Sequence, residues 1–271
     1  MSAQPPSKKQ KTDTPPYELL YWPGMPGRGE HIRLCFEASG TPYTDTSNAR
    51  KDGIKSVLAE IDSSKVGDAL NPPNLCPPIL RHGDLLLSQT PNILLYLGAR
   101  LGLAGGDNGD GKDADGEETA RLHVNQLALT ALDGLSNEPH DTHHPVAIAQ
   151  YYEEQKEEAK KKAEDWRVNR LPKFLGYFER VLQGEKSGGG EWLYGGRLTY
   201  ADLVLFQCLD GVLFAFPKAV GNTRTSGEYE KVWALYDRVK EAEGVKEYLA
   251  GDRRLQYGNG IYRHYEELDE A

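Results

Sequence analysis

NLCPPILRHGDLLLSQTPNILLYLG, residues 74–98, enters on two prolines, turns once at a glycine and closes on a helix start. β-Favouring apolar residues at Ile79–Arg81 and Leu85–Leu87 flank His82-Gly83-Asp84, which predicts a hairpin. A helix is expected to open at Thr90. Its hydroxyl suits an N-cap, and Pro91 would take the first helical position, where a missing N–H costs nothing. The free N–H groups and partial positive charge of that end make an anion site. Pro77-Pro78 leads into the first strand from an irregular loop, and X-Pro bonds are the ones that adopt cis. Plain hairpin and capping chemistry accounts for the same residues, so the stretch sets architecture and leaves function open.

Working outward, Tyr17–Trp22 (YELLYW) reads as a first strand and WPGMPGRGE as a Pro/Gly loop too rich in breakers to be regular. Glu30–Ser39 is expected to be a helix that stops at Gly40, with Cys35 in its core. A second strand over Thr41–Thr46, a short helix over Ile54–Ile61 and a loop to Pro73 carrying Lys65 complete an α/β unit. Residues 1–16 are polar and Pro-rich, which predicts disorder; Lys8, Lys9 and Lys11 there read as a nuclear address or a solvated tail.

Residues 102–116 (GLAGGDNGDGKDADG) read as a Gly/Asp linker. A calcium loop fails there by register, since the acids at 113 and 115 would leave Gly111 and Leu122 at the two end positions. Beyond it the pattern is helical, with candidates at Glu117–Leu135, Val146–Glu164, Asp165–Gln183, Tyr200–Phe216 and Glu228–Ala250. Thr199 and Asp202 form a capping box ahead of LVLFQCLDGVLFAF, which is apolar nearly all round and is expected to be the central buried helix, Cys208 included. The expected organisation is a tail over 1–16, an α/β unit over 17–101, a linker over 102–115 and an all-helical unit over 116–271.

Of 271 residues, 38% are hydrophobic and 27% charged, a globular composition with a formal charge of −9. That charge argues against nucleic acid as a partner, because phosphate contacts need a basic face. Three scattered cysteines without CxxC or zinc spacing point to a reducing compartment. No apolar run reaches membrane length and no signal-peptide core is seen, so a cytoplasmic protein without membrane contact is expected.

With these residues in place, the chain resembles the cytosolic glutathione transferases from about Tyr17 to its C-terminus. The resemblance implies a thioredoxin-like domain followed by an all-helical domain, with glutathione as co-substrate, no metal, and an apolar electrophile as second substrate. It further implies a detoxification role and a homodimer. Pro78 would be the family's cis-proline, Gln89-Thr90 would stand for its Gln-Ser pair, and Thr199–Asp202 for its folding-related capping motif. YWPG…RGE…IR is similar to the first strand, loop and helix of the tyrosine-type classes. Tyr21 then looks like the hydroxyl donor to the glutathione sulfur, and a tyrosine packed beneath the loop is the alternative. Gln89, Thr90 and the helix N–H groups suit the γ-glutamyl carboxylate, and the strand edge at Pro77 suits main-chain pairing. Lys65, with Lys55 second, is the candidate for the glycyl carboxylate.

Three departures stand out. The loop from Tyr21 to Arg28-Gly29 is longer than usual, so Arg28 competes with Tyr21 to activate the thiol. Pro77 lacks an N–H. Arg121 and His123 stand where an aspartate often crosses the dimer. Elsewhere, PHDTHHP (residues 139–145) has zinc-like ligands but no distant partner, and is expected to be a loop over the cleft. Tyr151-Tyr152 are candidates for an apolar pocket or for helix packing, and Tyr257, Tyr262 and Tyr265 for a cover or for packing. The alternatives to a transferase are a glutathione-fold binding module without turnover and a cysteine-based thiol–disulfide oxidoreductase.

Overall fold

Leu19 and Leu80 face one another across the two inner strands of a four-stranded sheet, both fully buried. The computed structural model describes residues 15–106 and 114–270. The tail expectation for residues 1–14 and the linker expectation for 107–113 lie outside the described residues. Strands β1 (Tyr17–Leu20), β2 (Tyr43–Asp45), β3 (Ile79–His82) and β4 (Leu85–Ser88) run in the order β2-β1-β3-β4. The β1–β2 pair is parallel and the other two are antiparallel. Gly83, at φ 63°, makes the β3–β4 turn. Helices α1 (Glu30–Ser39), α2 (Thr46–Ala49), α3 (Gly53–Glu60) and α4 (Thr90–Arg100) complete this thioredoxin-like half.

The second half is all helical: α5 (Ala114–Leu132), α6 (Glu138–Thr142), α7 (Lys156–Asp165), α8 (Leu171–Gln183), α9 (Tyr200–Ala215), α10 (Pro217–Thr225), α11 (Glu230–Glu241) and α12 (Val245–Ala250). As expected, α9 is the buried centre: every residue from Tyr200 to Leu209 is inaccessible. Asp202 terminates the chain entry to it by accepting from the Thr199 N–H and hydroxyl, each at 2.7 Å, and from the Leu193 N–H at 2.8 Å. Among the described residues, no helix is long and apolar enough to cross a membrane.

Two long helices foreseen from periodicity are broken. Residues 146–155 form no α-helix, only a 3-10 turn at Tyr152–Glu154, and the buried amide of Gln155 gathers the chain, accepting from Val146 N–H at 2.9 Å and donating to the carbonyls of Ala147 and Gln150. The helix expected over Glu228–Ala250 divides at Gly244 (φ 75°), where a Cβ would collide with the Glu37 carbonyl at the end of α1. Close backbone approach between the halves thus outweighs local helical tendency.

The halves meet on a buried carboxylate. Glu30, at the start of α1, is fully buried, accepting from the Tyr248 hydroxyl at 2.6 Å, from Arg33 Nη1 at 2.9 Å and from Arg254 Nη1. Arg254 continues to Asp210 Oδ2 at 2.9 Å and Gln207 Oε1 at 3.1 Å, both on α9. Arg33 continues to Asp45 at 2.7 Å and to the Pro26 carbonyl at 3.1 Å. Nearby, Gly98 lets α4 lie against α9, since a Cβ there would sit 2.5 Å from the Tyr200 ring.

Glu30→Ala leaves two guanidiniums buried without their shared acid, and it should lower unfolding stability in urea by about 3–5 kcal/mol. Thr199→Ala should cost about 1 kcal/mol, the worth of one N-cap. Equal losses in the two variants would contradict the central place of Glu30.

Candidate functional site

Residue 21 follows the last residue of β1, where the strand ends at a Pro/Gly loop. The Tyr21 N–H donates to Ser47 Oγ at 3.3 Å, which points the ring under the turn at Gly27–Gly29. A Cβ at Gly29 would lie 2.7 Å from Tyr21 Cγ, and one at Gly27 would collide with the Tyr21 hydroxyl. Glycine at both positions is therefore what admits the ring. The Arg28 N–H donates to the Tyr21 hydroxyl oxygen at 2.8 Å, leaving the phenolic proton free to be given elsewhere. Burial raises the Tyr21 pKa above its usual value, although the Arg28 N–H and the Arg28 and Arg33 charges pull it down. Tyr21 is thus a protonated donor at neutral pH. The Arg28 side chain crosses to the helical half, donating to Asn137 Oδ1 at 2.7 Å.

The second part of the site is the stretch that begins at Asn74. The peptide bond between Pro77 and Pro78 is cis. Gln89 holds φ 71°, a conformation costing a non-glycine residue about 1–3 kcal/mol. Its carbonyl accepts the Ile93 N–H at 3.0 Å, so the strained residue is the cap of α4. Thr90 is therefore the first helical residue, and Pro91 sits one place further in than expected. Released from capping, Thr90 Oγ1 is buried without a hydrogen-bond partner. A buried hydroxyl without a partner at a helix N-terminus is a cradle for an anionic ligand.

Tyr21, Arg28, Pro77, Gln89 and Thr90 line one cleft of about 820 Å³. Cys76 lines it too, and is exposed, whereas burial raises the pKa of Cys35 and pushes that of Cys208 up to about 12. Lys65 does not reach the cleft. Its ammonium is held 2.8 Å from Glu60 Oε2, beside a separate pocket lined by Ser64, Val66 and Asn71. Lys55 is exposed and pairs with Asp52 at 3.3 Å. Glu60 decides this, since the same carboxylate also takes Arg81 at 2.6 Å and anchors the loop away from Tyr21.

The opposite wall comes from the helical half: His140, Ile148 and the Asn259–Ile261 segment with Arg263. His140 places the PHDTHHP segment at the cleft, but the expected loop is helical over its first four residues, which belong to α6. A hydrogen bond of 2.9 Å between His143 Nε2 and the Ile261 carbonyl ties that segment down. The tyrosines behave otherwise than as a cover. Tyr257 and Tyr262 point inward, to Asp210 at 2.7 Å and to the Leu135 carbonyl at 2.9 Å. Tyr152 stacks on Tyr265 with ring centroids 3.8 Å apart, and Tyr151 is exposed, so neither forms a cleft wall. Arg263 was not legible beforehand, because it lies in a segment without periodicity more than two hundred residues from Tyr21.

Known proteins share this fold. Residues 140–252 match the family model described as glutathione S-transferase, C-terminal domain. A glutathione S-transferase of Plasmodium falciparum is 26% identical over 243 residues, covering 88% of this chain and 98% of its own. Glutathione S-transferase Mu 2 of Rattus norvegicus is 27% identical over 246 residues, 89% and 93% of the two chains. Prostaglandin synthase D of Nilaparvata lugens superposes with a TM-score of 0.62 at 19% identity, over 88% of this chain and 98% of that one. The Pi-class glutathione S-transferase of Onchocerca volvulus gives 0.59 at 21%, over 86% and 92%.

Gly29→Ala drives a methyl into the Tyr21 ring and should cost about 1–3 kcal/mol by overpacking. In a double-mutant cycle with Tyr21→Ala, which empties that space, most of this cost should vanish. Additive losses in urea unfolding would show that the ring and the turn are not in contact.

Proposed function

We propose that this chain is a transferase of the cytosolic glutathione transferase superfamily, in which glutathione, bound along the Pro77–Thr90 edge, has its sulfur activated beside Tyr21. The thiolate then attacks an electrophile held against the helical wall. The observation that carries this reading is the convergence of Tyr21, Pro77, Gln89 and the unpartnered Thr90 hydroxyl on one cleft. Its volume lies toward the upper end of the roughly 300–1,000 Å³ usual for small-molecule sites, which suits two substrates.

A free thiol with a pKa near 8.5 is only a few per cent thiolate at neutral pH. The Tyr21 hydroxyl, itself accepting from the Arg28 N–H, donates to sulfur and stabilises the anion. Arg28, fixed by Asn137, adds positive charge on the same side. The γ-glutamyl carboxylate takes Gln89, the Thr90 hydroxyl and the first N–H groups of α4. Pro77 offers the peptide only a carbonyl, since it has no N–H. Lys65 would serve the glycyl carboxylate only if the loop around Glu60 rearranged. The reading divides the chain into a thioredoxin-like unit over 17–101, a linker over 102–115 and a helical unit over 116–271. It includes a cytoplasmic homodimer serving detoxification, with no nucleic acid or membrane as partner.

Tyr21→Phe keeps the ring and removes the donor. It should slow conjugation of chloro-dinitrobenzene by about 30- to 1,000-fold, equivalent to about 2–4 kcal/mol. The midpoint of its rate–pH curve should move to higher pH. A normal midpoint in Tyr21→Phe with a raised one in Arg28→Ala would transfer the role to Arg28. Gln89→Ala should weaken glutathione binding by titration, and unchanged affinity would remove the helix end from the site. Glutathione capture by the wild type without any conjugation would make the protein a binding module.

A further inference from the structure

The residues lining the cleft include two arginines, a histidine and no aspartate or glutamate, on a protein whose formal charge is −9. Neither arginine is neutralised by an acid among the described residues. Arg28 donates to the neutral Asn137 amide, and the one hydrogen bond of Arg263 runs from Nε to the Gly260 carbonyl at 3.2 Å. Both Nη groups of Arg263 remain available. Elsewhere Arg33, Arg81, Arg170, Arg224, Arg253 and Arg254 sit on carboxylates, while Arg167 and Arg238 donate to the carbonyls of Leu268 and Glu191.

The imidazoles around Arg263 do not share its charge. His140, His143 and His144 pack with ring centroids 4.8–5.4 Å apart. Burial lowers the pKa of all three, that of His143 to about 3, with Arg263 lowering His143 and His144 further. They are neutral at pH 7. Asp141, the acid of that loop, lies 3.6 Å from His140 and does not line the cleft. On this wall, therefore, the fixed charge is a single guanidinium, which shares the cleft lining with Ile148, Ile261 and, from the Tyr21 loop, Met25.

We propose that the electrophile taken by this cleft carries a carboxylate on an apolar body, and that Arg263 binds the carboxylate while Ile148, Ile261 and Met25 hold the body. The proposal deepens the conjugation reading above and rests on it. The opposed placement of the cations supports the assignment. Gln89, Thr90 and Arg28 lie on the wall given to glutathione, whereas Arg263 belongs to the helical half. A planar guanidinium with two free Nη groups matches a carboxylate in bidentate fashion. For an aryl enone bearing a carboxylate, the thiolate sulfur bonds to the β-carbon and the C=C pair moves to the enolate. Protonation of the α-carbon by water then completes the thioether, and the carboxylate is unchanged.

The test compares a 4-carboxy aryl enone with its methyl ester under saturating glutathione, with chloro-dinitrobenzene as neutral reference. The wild type should favour the acid by about tenfold or more in kcat/KM, the scale of one charge-assisted hydrogen bond. The preference should reside in KM and shrink as salt screens it. In Arg263→Gln the acid-to-ester ratio should fall close to one, and in Arg263→Lys it should be largely kept. Equal handling of acid and ester by the wild type overturns the proposal. So does a rise in the KM for glutathione in Arg263→Gln in place of a changed ratio, which would give the guanidinium to a glutathione carboxylate. Absence of chloro-dinitrobenzene turnover in the wild type would instead sink the conjugation reading. In that event, calorimetric titration of the saturated carboxylate still reads the Arg263 contact, and equal affinity in wild type and Arg263→Gln refutes it.

Discussion

A buried carboxylate, Glu30, sets the geometry on which both halves depend. An ionised acid in an apolar interior is costly unless its oxygens are saturated with donors, and Glu30 has Tyr248, Arg33 and Arg254 around it. Those donors come from α1, from α12 and from the segment beyond α12, so satisfying one carboxylate docks the helical half onto the sheet half. Arg33 carries the constraint one step further. By holding the Pro26 carbonyl and Asp45, it fixes the loop whose Gly27–Gly29 turn roofs Tyr21. The position of the candidate donor is thus coupled to the interface between the halves.

That coupling explains why the cleft is made of residues so distant in sequence. One wall consists of the Tyr21 loop, the cis Pro77–Pro78 bond and the strained Gln89 cap. The other is the end of α6 with the histidines that follow it and a returning C-terminal segment, joined through His143 and the Ile261 carbonyl. The strain at Gln89 has a chemical correlate. It starts α4 at Thr90 and leaves the Thr90 hydroxyl buried without a partner, in a residue that lines the cleft. The charge distribution follows the same division. Arginines elsewhere, Arg33 and Arg254 among them, sit on carboxylates, and among the described residues no acid pairs with the two guanidiniums of the cleft.

Much of the fold was legible locally. β-Favouring apolar residues and a glycine turn placed β3 and β4, a Thr-x-x-Asp box placed the start of α9, and its uniform apolarity marked it as the core. Local signals failed where a distant backbone or side chain intervened. Gln155 unwinds the chain before α7, and Gly244 divides α11 from α12 against the end of α1. Thr90 misled for a related reason. Thr-Pro reads as a cap followed by a first helical residue, but Gln89 in a left-handed conformation takes the cap position, which no propensity suggests.

For the site, the resemblance to a family pointed to Tyr21, Arg28, Pro77, Gln89 and Thr90 through short motifs, and the structure brings these five to one cleft. The basic partner could not be chosen the same way. Lys65, Lys55 and Arg263 are equivalent as cations until their neighbours are known, and their neighbours lie in other elements. Glu60 captures Lys65, Asp52 captures Lys55, and the His140–His144 loop meets Arg263 with neutral rings. Most elements and the short motifs of the Tyr21 loop and the α4 start were thus legible in the chain, because breakers, caps and periodicity act over a few residues. Only the tertiary structure decided which charges face the cleft, because pairing between charges is set by distances in space that no local pattern records.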